Sequence, residues 1–373
     1  MINSTSTIND SGGGNGHTSN KDASPVLRPR ILLTGLRRSG KTSIQRVIFT
    51  KMQPSQTQFL ESTPHLTLNQ FSCGSFINFQ VQELPGHMIT GGYDMERLLK
   101  RCNAVVYIID AQDDYSESII RLNTIIQMGR RLNPRIRYEV FIHKVDQLSE
   151  ETKSETQRDI HNQVRDRSAD NVGGIDLWSS TSITSNLNPN DILINFHLTS
   201  IYDHSIFEAF SKVIQKLIPQ FGHLERLLNY LLSTSNIEQA FLFDVQTKIS
   251  IATDSSPTDM QMYELCCDMI DLLINMMINQ QNSSLIETTS EPASAVFDSM
   301  SSSVIKLTGG RALYLKEINR HLALICILRE EALTKQALID YNVRQLKKSI
   351  IKLFRLNNQL SRPPPIPSSG IVQ

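Results

Sequence analysis

Eight consecutive residues constrain this chain more than any other stretch: Gly35-Leu36-Arg37-Arg38-Ser39-Gly40-Lys41-Thr42 spells G-x-x-x-x-G-K-[ST]. The motif sits between a short apolar run, 31–34, and a stretch, 42–51, whose Ile44, Val47 and Ile48 recur on one helical face. A strand, a glycine-rich turn and a helix in that order have one strong chemical use. The glycines let the backbone curl so that successive N–H groups, from Arg37, Arg38, Ser39, Gly40 and on to Ser43, face one anion at a helix amino end. Lys41 adds a positive charge for β- and γ-phosphates, and Thr42 a hydroxyl for Mg²⁺.

A phosphate cradle says nothing about the base. That choice is expected at His143-Lys144-Val145-Asp146, which ends the run 138–143 and reads as N-K-x-D with His in the first position. Guanine's N1–H and N2–H₂ can both donate to the Asp146 carboxylate. Adenine presents an acceptor at N1 and would leave a charged oxygen unpaired, at a cost of about 1–3 kcal/mol or more. Lys144 would lie along the base plane, and Thr199-Ser200-Ile201 would back the guanine with main-chain N–H groups. Between cradle and base motif, Glu83-Leu84-Pro85-Gly86-His87 stands in the place of a D-x-x-G. Glu83 would hold Mg²⁺ through water, and the Gly86 N–H would bond a γ-phosphate oxygen. His87 occupies the position of a water-orienting glutamine, which predicts slow or partner-driven hydrolysis. Thr63 is expected to meet Mg²⁺ and γ-phosphate only in the triphosphate state.

The surrounding pattern predicts an α/β unit with a mainly parallel sheet, its strands at 31–34, 76–83, 104–110, 138–143 and 192–198, with covering helices at 42–51, 115–132 and 205–217. Residues 1–28 are rich in Ser, Asn, Gly and Thr and are expected to be a disordered tail, and 165–190 a surface insertion. The first unit is taken as 29–222. A second, 223–358, has a different grain: strands at 241–245, 248–253, 304–307, 312–318 and 322–328, a turn near Gln246-Thr247, and two helices, 260–277 and one from about 338. The proline-rich stretch 359–373 is expected to be extended. At 373 residues the chain is long enough for two such cores.

Charge excludes some functions. The 37 Lys and Arg balance 37 Asp and Glu, so nothing favours a nucleic-acid backbone or an anionic membrane. No apolar run reaches the ~20 residues of a membrane helix, and neither a signal peptide nor a lipid-anchor motif is visible, so membrane attachment is expected through a partner. The five cysteines show no metal spacing and are expected to be reduced and packed.

In this order the elements resemble a Ras-like GTPase. The stretches 35–41, Phe59-Leu60-Glu61-Ser62-Thr63, 109–115, 140–146 and 198–210, with Ala240-Phe241-Leu242-Phe243-Asp244-Val245 and Asp254-Ser255-Ser256-Pro257, resemble the Rag GTPases of the C/D class over roughly 30–355. The resemblance implies a P-loop GTPase domain followed by a roadblock-type, longin-like α+β domain through which the chain pairs with an A/B-class Rag GTPase. It implies GTP/GDP and Mg²⁺ as ligands, a GTPase-activating protein, and a scaffold complex that holds the pair at the lysosome or vacuole surface, where it recruits the TOR kinase complex. The location implied is cytoplasmic and peripheral, with the nucleus as an alternative. By matching motif, the cradle binds phosphate, Thr42 and Thr63 handle Mg²⁺, and His143 and Asp146 face guanine. Two other readings stand beside this: a metabolic P-loop kinase, for which no lid of phosphate-clamping arginines is visible, and a nucleotide-binding scaffold without turnover, motivated by His87.

Overall fold

The computed structural model describes residues 29–73, 77–87, 95–171, 194–283, 302–319 and 321–360. The expected tail at 1–28, all but the first two residues of the tail expected at 359–373, and most of the expected insertion lie outside the described residues.

The first unit runs β1 (Arg30–Gly35), α1 (Lys41–Thr50), β2 (Thr67–Cys73), β3 (Ile77–Glu83), α2 (Met95–Arg101), β4 (Ala104–Asp110), α3 (Ser116–Leu132), β5 (Arg137–His143), α4 (Glu150–Asn171), β6 (Ile194–Thr199) and α5 (Ser205–Leu217). Its sheet has the order β2-β3-β1-β4-β5-β6. All neighbours are parallel except β2, which is antiparallel to β3. Central β1 is covered on both sides, which is why its sequence is an unbroken apolar run. Ile31 and Leu33 join the core under α1 and α5, while Leu32 joins the opposite core under α3 and α4. The register pairs Leu33 with Glu83, Asp110 with His143, and His143 with Thr199. Every chemistry-bearing strand end therefore emerges on one edge, beside the turn that follows β1.

The second unit comprises α6 (Phe221–Ser235), β7 (Ile237–Asp244), β8 (Ser250–Thr253), α7 (Met260–Ser283), β9 (Ser302–Lys306), β10 (Arg311–Glu317), β11 (Leu322–Arg329) and α8 (Gln336–Leu360). Its antiparallel sheet has the order β8-β7-β11-β10-β9, with α6 and α8 on one face and α7 on the other, the arrangement of a roadblock-like domain. The hairpin turn after β7 falls where expected. The Asp244 carboxylate accepts from the Thr247 N–H at 2.9 Å and its hydroxyl at 2.6 Å.

Several expectations change. Among the described residues the second unit holds three α-helices rather than two, because α6 precedes its first strand and spans the expected boundary at 222/223. Residues 165–171 complete α4 instead of opening an insertion, and α8 continues through 360, where an extended tail was expected. The first unit gains β2, α2 and α4. Four of the five cysteines (Cys102, Cys266, Cys267 and Cys326) are free and buried, as expected.

The two units share a core. Ser211 on α5 accepts from the Ser250 N–H at 2.8 Å and bonds the Tyr263 hydroxyl at 3.0 Å, and Gln215 Nε2 donates to Ser250 O at 2.8 Å. One apolar cluster runs from Ile44 and Phe210 to Leu242 and Tyr314.

Candidate nucleotide site

The strand ends enclose a cleft of about 830 Å³. Of the expected residues, Arg37, Arg38, Gly40, Lys41, Thr42, Ser43, Thr63, Glu83, Gly86, His87, His143, Lys144, Asp146 and Ile201 line it. Ser39 and Ser200 do not: both side chains are buried beneath the surface. Thr57, Gln58, Leu60, Glu61, Ser62 and Tyr202 also line the cleft, and residue-by-residue motif reading gave no role to any of them.

The cradle is tightly wound. Arg38 and Gly40 have φ of 65° and 99°. A Cβ on Gly40 would lie 2.7 Å from the His143 ring, so glycine is required there by conformation and by space. Lys41 folds its amine inward, donating to Gly35 O at 3.0 Å and Leu36 O at 2.6 Å. Burial lowers its pKa from the ordinary 10.5 to about 8, against an opposing pull from Glu83. A phosphate placed over this turn would supply the anionic partner the amine lacks.

Three oxygens from three distant segments converge beside Lys41. Thr42 Oγ1 donates to Glu83 Oε1 at 2.5 Å and lies 2.9 Å from Thr63 Oγ1, which itself lies 3.2 Å from Glu83 Oε1. Two hydroxyls and a carboxylate make a hard, all-oxygen donor set, which suits Mg²⁺ with water and phosphate oxygens completing its shell. Next to it, Gly86 presses on the cradle, since a Cβ there would fall 2.3 Å from the Arg37 nitrogen. His87 is exposed at the cleft's mouth.

At the far end, Asp146 sits in a single 3₁₀ turn, Val145–Gln147. Ser200 Oγ donates to Asp146 Oδ1 at 2.8 Å and fixes the carboxylate. This corrects the expected role of Ser200: its main-chain N–H donates to Ser205 Oγ at 2.9 Å, so only its hydroxyl serves the site. Lys144 reaches Arg38 O at 3.0 Å and Asp110 Oδ2 at 2.5 Å, spanning from base end to cradle. His143 is also placed differently from a base-facing residue. Its ring lies against Gly40, and its Nδ1 is 3.0 Å from Thr199 Oγ1. Burial, then Lys144, depresses its pKa to about 4, so at neutral pH it is an uncharged buttress.

A strand, this turn and a helix at the carboxyl edge of a mostly parallel sheet, with a carboxylate at the far end, define a P-loop G domain. The family description "Gtr1/RagA G protein conserved region" matches residues 30–270. Ras-related GTP-binding protein C of Homo sapiens is 49% identical over 88% of this chain and 77% of its own length. GTP-binding protein gtr2 of Schizosaccharomyces pombe is 46% identical over 88% and 99%. GTP-binding protein gtr1 of the same yeast is 22% identical over 62% and 70%. The chain belongs to the Gtr/Rag family of GTPases, in its C/D class.

Proposed function

We propose that this protein is a guanine-nucleotide switch: it binds GTP or GDP with Mg²⁺, hydrolyses GTP slowly, and presents different loop arrangements in the two states. The observation that carries this is the meeting of Thr42, Thr63 and Glu83 within 3.2 Å of one another, in the same cleft as Lys41 and Asp146. Thr42 belongs to the fixed cradle, whereas Thr63 lies in the loop between α1 and β2. A divalent ion held there would draw charge from the β- and γ-phosphates. The N–H groups from Arg37 to Ser43 and the Lys41 amine would bind the phosphates, with Gly86 meeting only the terminal one. Asp146, held by Ser200, would accept from guanine, Lys144 and Ile201 would flank the base, and His143 would support the cradle.

A switch needs loops whose position depends on the terminal phosphoryl. Thr63 and Gly86 bracket that position, so losing the γ-phosphate removes a shared anchor of both segments. His87 supplies an imidazole in place of a carboxamide to orient water, which fits weak turnover raised by an activating protein. The same residue favours a second reading, a nucleotide-binding subunit with little or no hydrolysis. In the wider role, the second unit would pair with an A/B-class Rag GTPase. A scaffold complex would hold the pair on the lysosome or vacuole surface, and amino-acid sufficiency would be relayed to the TOR kinase complex. No helix among the described residues is long and apolar enough to cross a membrane, which fits attachment through partners.

Single-turnover GTP hydrolysis with and without an activating protein separates the readings. Slow release of phosphate, accelerated by the activator, is expected; no product under either condition would leave the non-hydrolysing subunit. Failure of GTP and GDP to compete for the stripped protein would remove both.

A further inference from the structure

Gly86 is gripped from two sides. On one, it presses on the cradle, where an added Cβ would fall 2.6 Å from Arg37 Cα and 2.7 Å from the Leu36 carbonyl carbon. On the other, Arg121 Nη1 donates to Gly86 O at 3.1 Å from the second turn of α3. Arg121 is held for this by an ion pair with Glu117, one helical turn earlier, and its side chain is 23% exposed. The segment's start is fixed by the Leu84 N–H, which donates to Leu33 O at 2.9 Å. Pro85 then contributes no donor, so among the described residues 83–87 the Arg121 bond is the tether that follows it.

We propose that Arg121 is a positioning residue for the terminal phosphate: by holding the Gly86 carbonyl to α3, it sets the main-chain donors of Gly86 and His87 toward the cleft and so determines the preference between triphosphate and diphosphate. In a trans peptide the C=O and the following N–H point in opposite directions. Tethering Gly86 O to α3 therefore turns the His87 N–H away from that helix and pins the Gly86 Cα against the cradle. Both residues line the cleft. A diphosphate ends before reaching them, whereas a triphosphate meets them. Loss of the tether frees donors that only the triphosphate uses, and the cost falls on that ligand alone. This rests on the reading of the cleft as a GTP/GDP site.

The test is the ratio of GTPγS to GDP affinity in nucleotide-stripped full-length protein with Mg²⁺, measured by competition for a fluorescent nucleotide. Arg121→Ala is expected to weaken GTPγS about tenfold, the worth of one hydrogen bond from a charged donor, while GDP changes less than about twofold. Arg121→Lys, which keeps a charged donor on a shorter reach, should recover part of the loss. Arg131→Ala, an exposed residue at the end of the same helix, should leave the ratio unchanged. Equal weakening of both ligands would make Arg121 mere structural support and overturn the proposal, as would an unshifted ratio. A wild type that binds neither nucleotide would overturn the reading of the cleft and this inference with it; one that binds both, beside an unshifted Arg121→Ala ratio, overturns the inference alone.

Discussion

Raising the pH should act in opposite directions on the stability of the empty protein and on its affinity for nucleotide, because both depend on the Lys41 ammonium. In the stripped site burial holds the Lys41 pKa at about 8, against 10.5 in the unfolded chain. Between those values the unfolded state keeps a proton that the folded state has released, so stability rises with pH, by about 3 kcal/mol across the window at 1.36 kcal/mol per unit. Below about 8 the burial cost is present in full. Nucleotide binding has the reverse sign, since phosphate needs the charged amine and Lys41 must recover its proton on binding. With the bound amine protonated throughout, affinity should fall about fourfold from pH 7 to 8.5, with uptake of about three-quarters of a proton at the upper pH. Titration calorimetry with GDP in two buffers of different ionisation enthalpy reads the proton count directly, and urea unfolding of the stripped protein reads stability. Proton uptake below about 0.2 at pH 8.5 and an affinity flat over this range would refute the claim that Lys41 meets the phosphates from a desolvated position.

Acid should act through His143, whose pKa of about 4 lies below the 6.5 of the unfolded chain. Its contribution is intact above 6.5 and lost as pH falls towards 4, about 3 kcal/mol in all, and His143→Asn should flatten that part of the urea-midpoint profile. Asp146→Asn exchanges a double acceptor for a group that also donates, so GTP should weaken while xanthosine triphosphate gains; an unchanged preference in competition assays would mean that Asp146 does not read the base. Gly86→Ala forces a methyl group to within 2.3 Å of the Arg37 nitrogen, and the backbone shift should cost about 1–3 kcal/mol in urea unfolding. Stability equal to wild type would show that the 83–87 segment moves freely off the cradle.

What could be read beforehand followed from how far each signal depends on neighbours in sequence. The strand at Ala104–Asp110 was placed to the residue because both its faces are buried and every side chain but the last is apolar. The helix Glu150–Asn171 leaves no such trace, for the opposite reason: among its described side chains Ile160 and Val164 are the buried apolar ones, too few to mark a periodic face among charges. Edge strand Thr67–Cys73 has Leu68 and Phe71 three positions apart, off the two-residue strand period, and pairs on one side, which leaves little pattern to detect. By contrast Leu224, Leu228 and Leu231 gave α6 a legible stripe, and placing a boundary beside it obscured the helix. In the site, the cradle and Asp146 were visible because their roles are local to a motif. The Ser200 to Asp146 bond spans 54 residues and the Arg121 to Gly86 bond 35. Neither separation leaves a mark in sequence, so only the folded register reveals that the Ser200 hydroxyl holds the Asp146 carboxylate and the Arg121 guanidinium holds the Gly86 carbonyl.

The junction between the two units bears on how a switch in the first could be felt by a partner of the second. Ile201 and Tyr202 line the cleft, and the loop that carries them runs straight into α5. Ser205 both caps that loop, accepting from the Ser200 N–H, and is the first residue of the helix. Six residues on, Ser211 is locked to Ser250 and Tyr263, and Phe207 packs into the apolar clusters on both faces of the second sheet. A hinge would require this buried, hydrogen-bonded seam to open, exchanging the bonds of Ser211 and Gln215 to Ser250 and Tyr263 for bonds to water at about 0.5–1.5 kcal/mol each and exposing the apolar side chains packed around Phe207. Rigid attachment is the cheaper state, so on the switch reading any nucleotide-dependent change would fall mainly on the loops carrying Thr63 and Gly86, the first of which meets α5's leading loop where Gln58 Nε2 donates to the Tyr202 hydroxyl at 3.4 Å. A partner gripping the second unit would thus hold the base end of the cleft fixed while leaving the phosphate end free to report which nucleotide is bound.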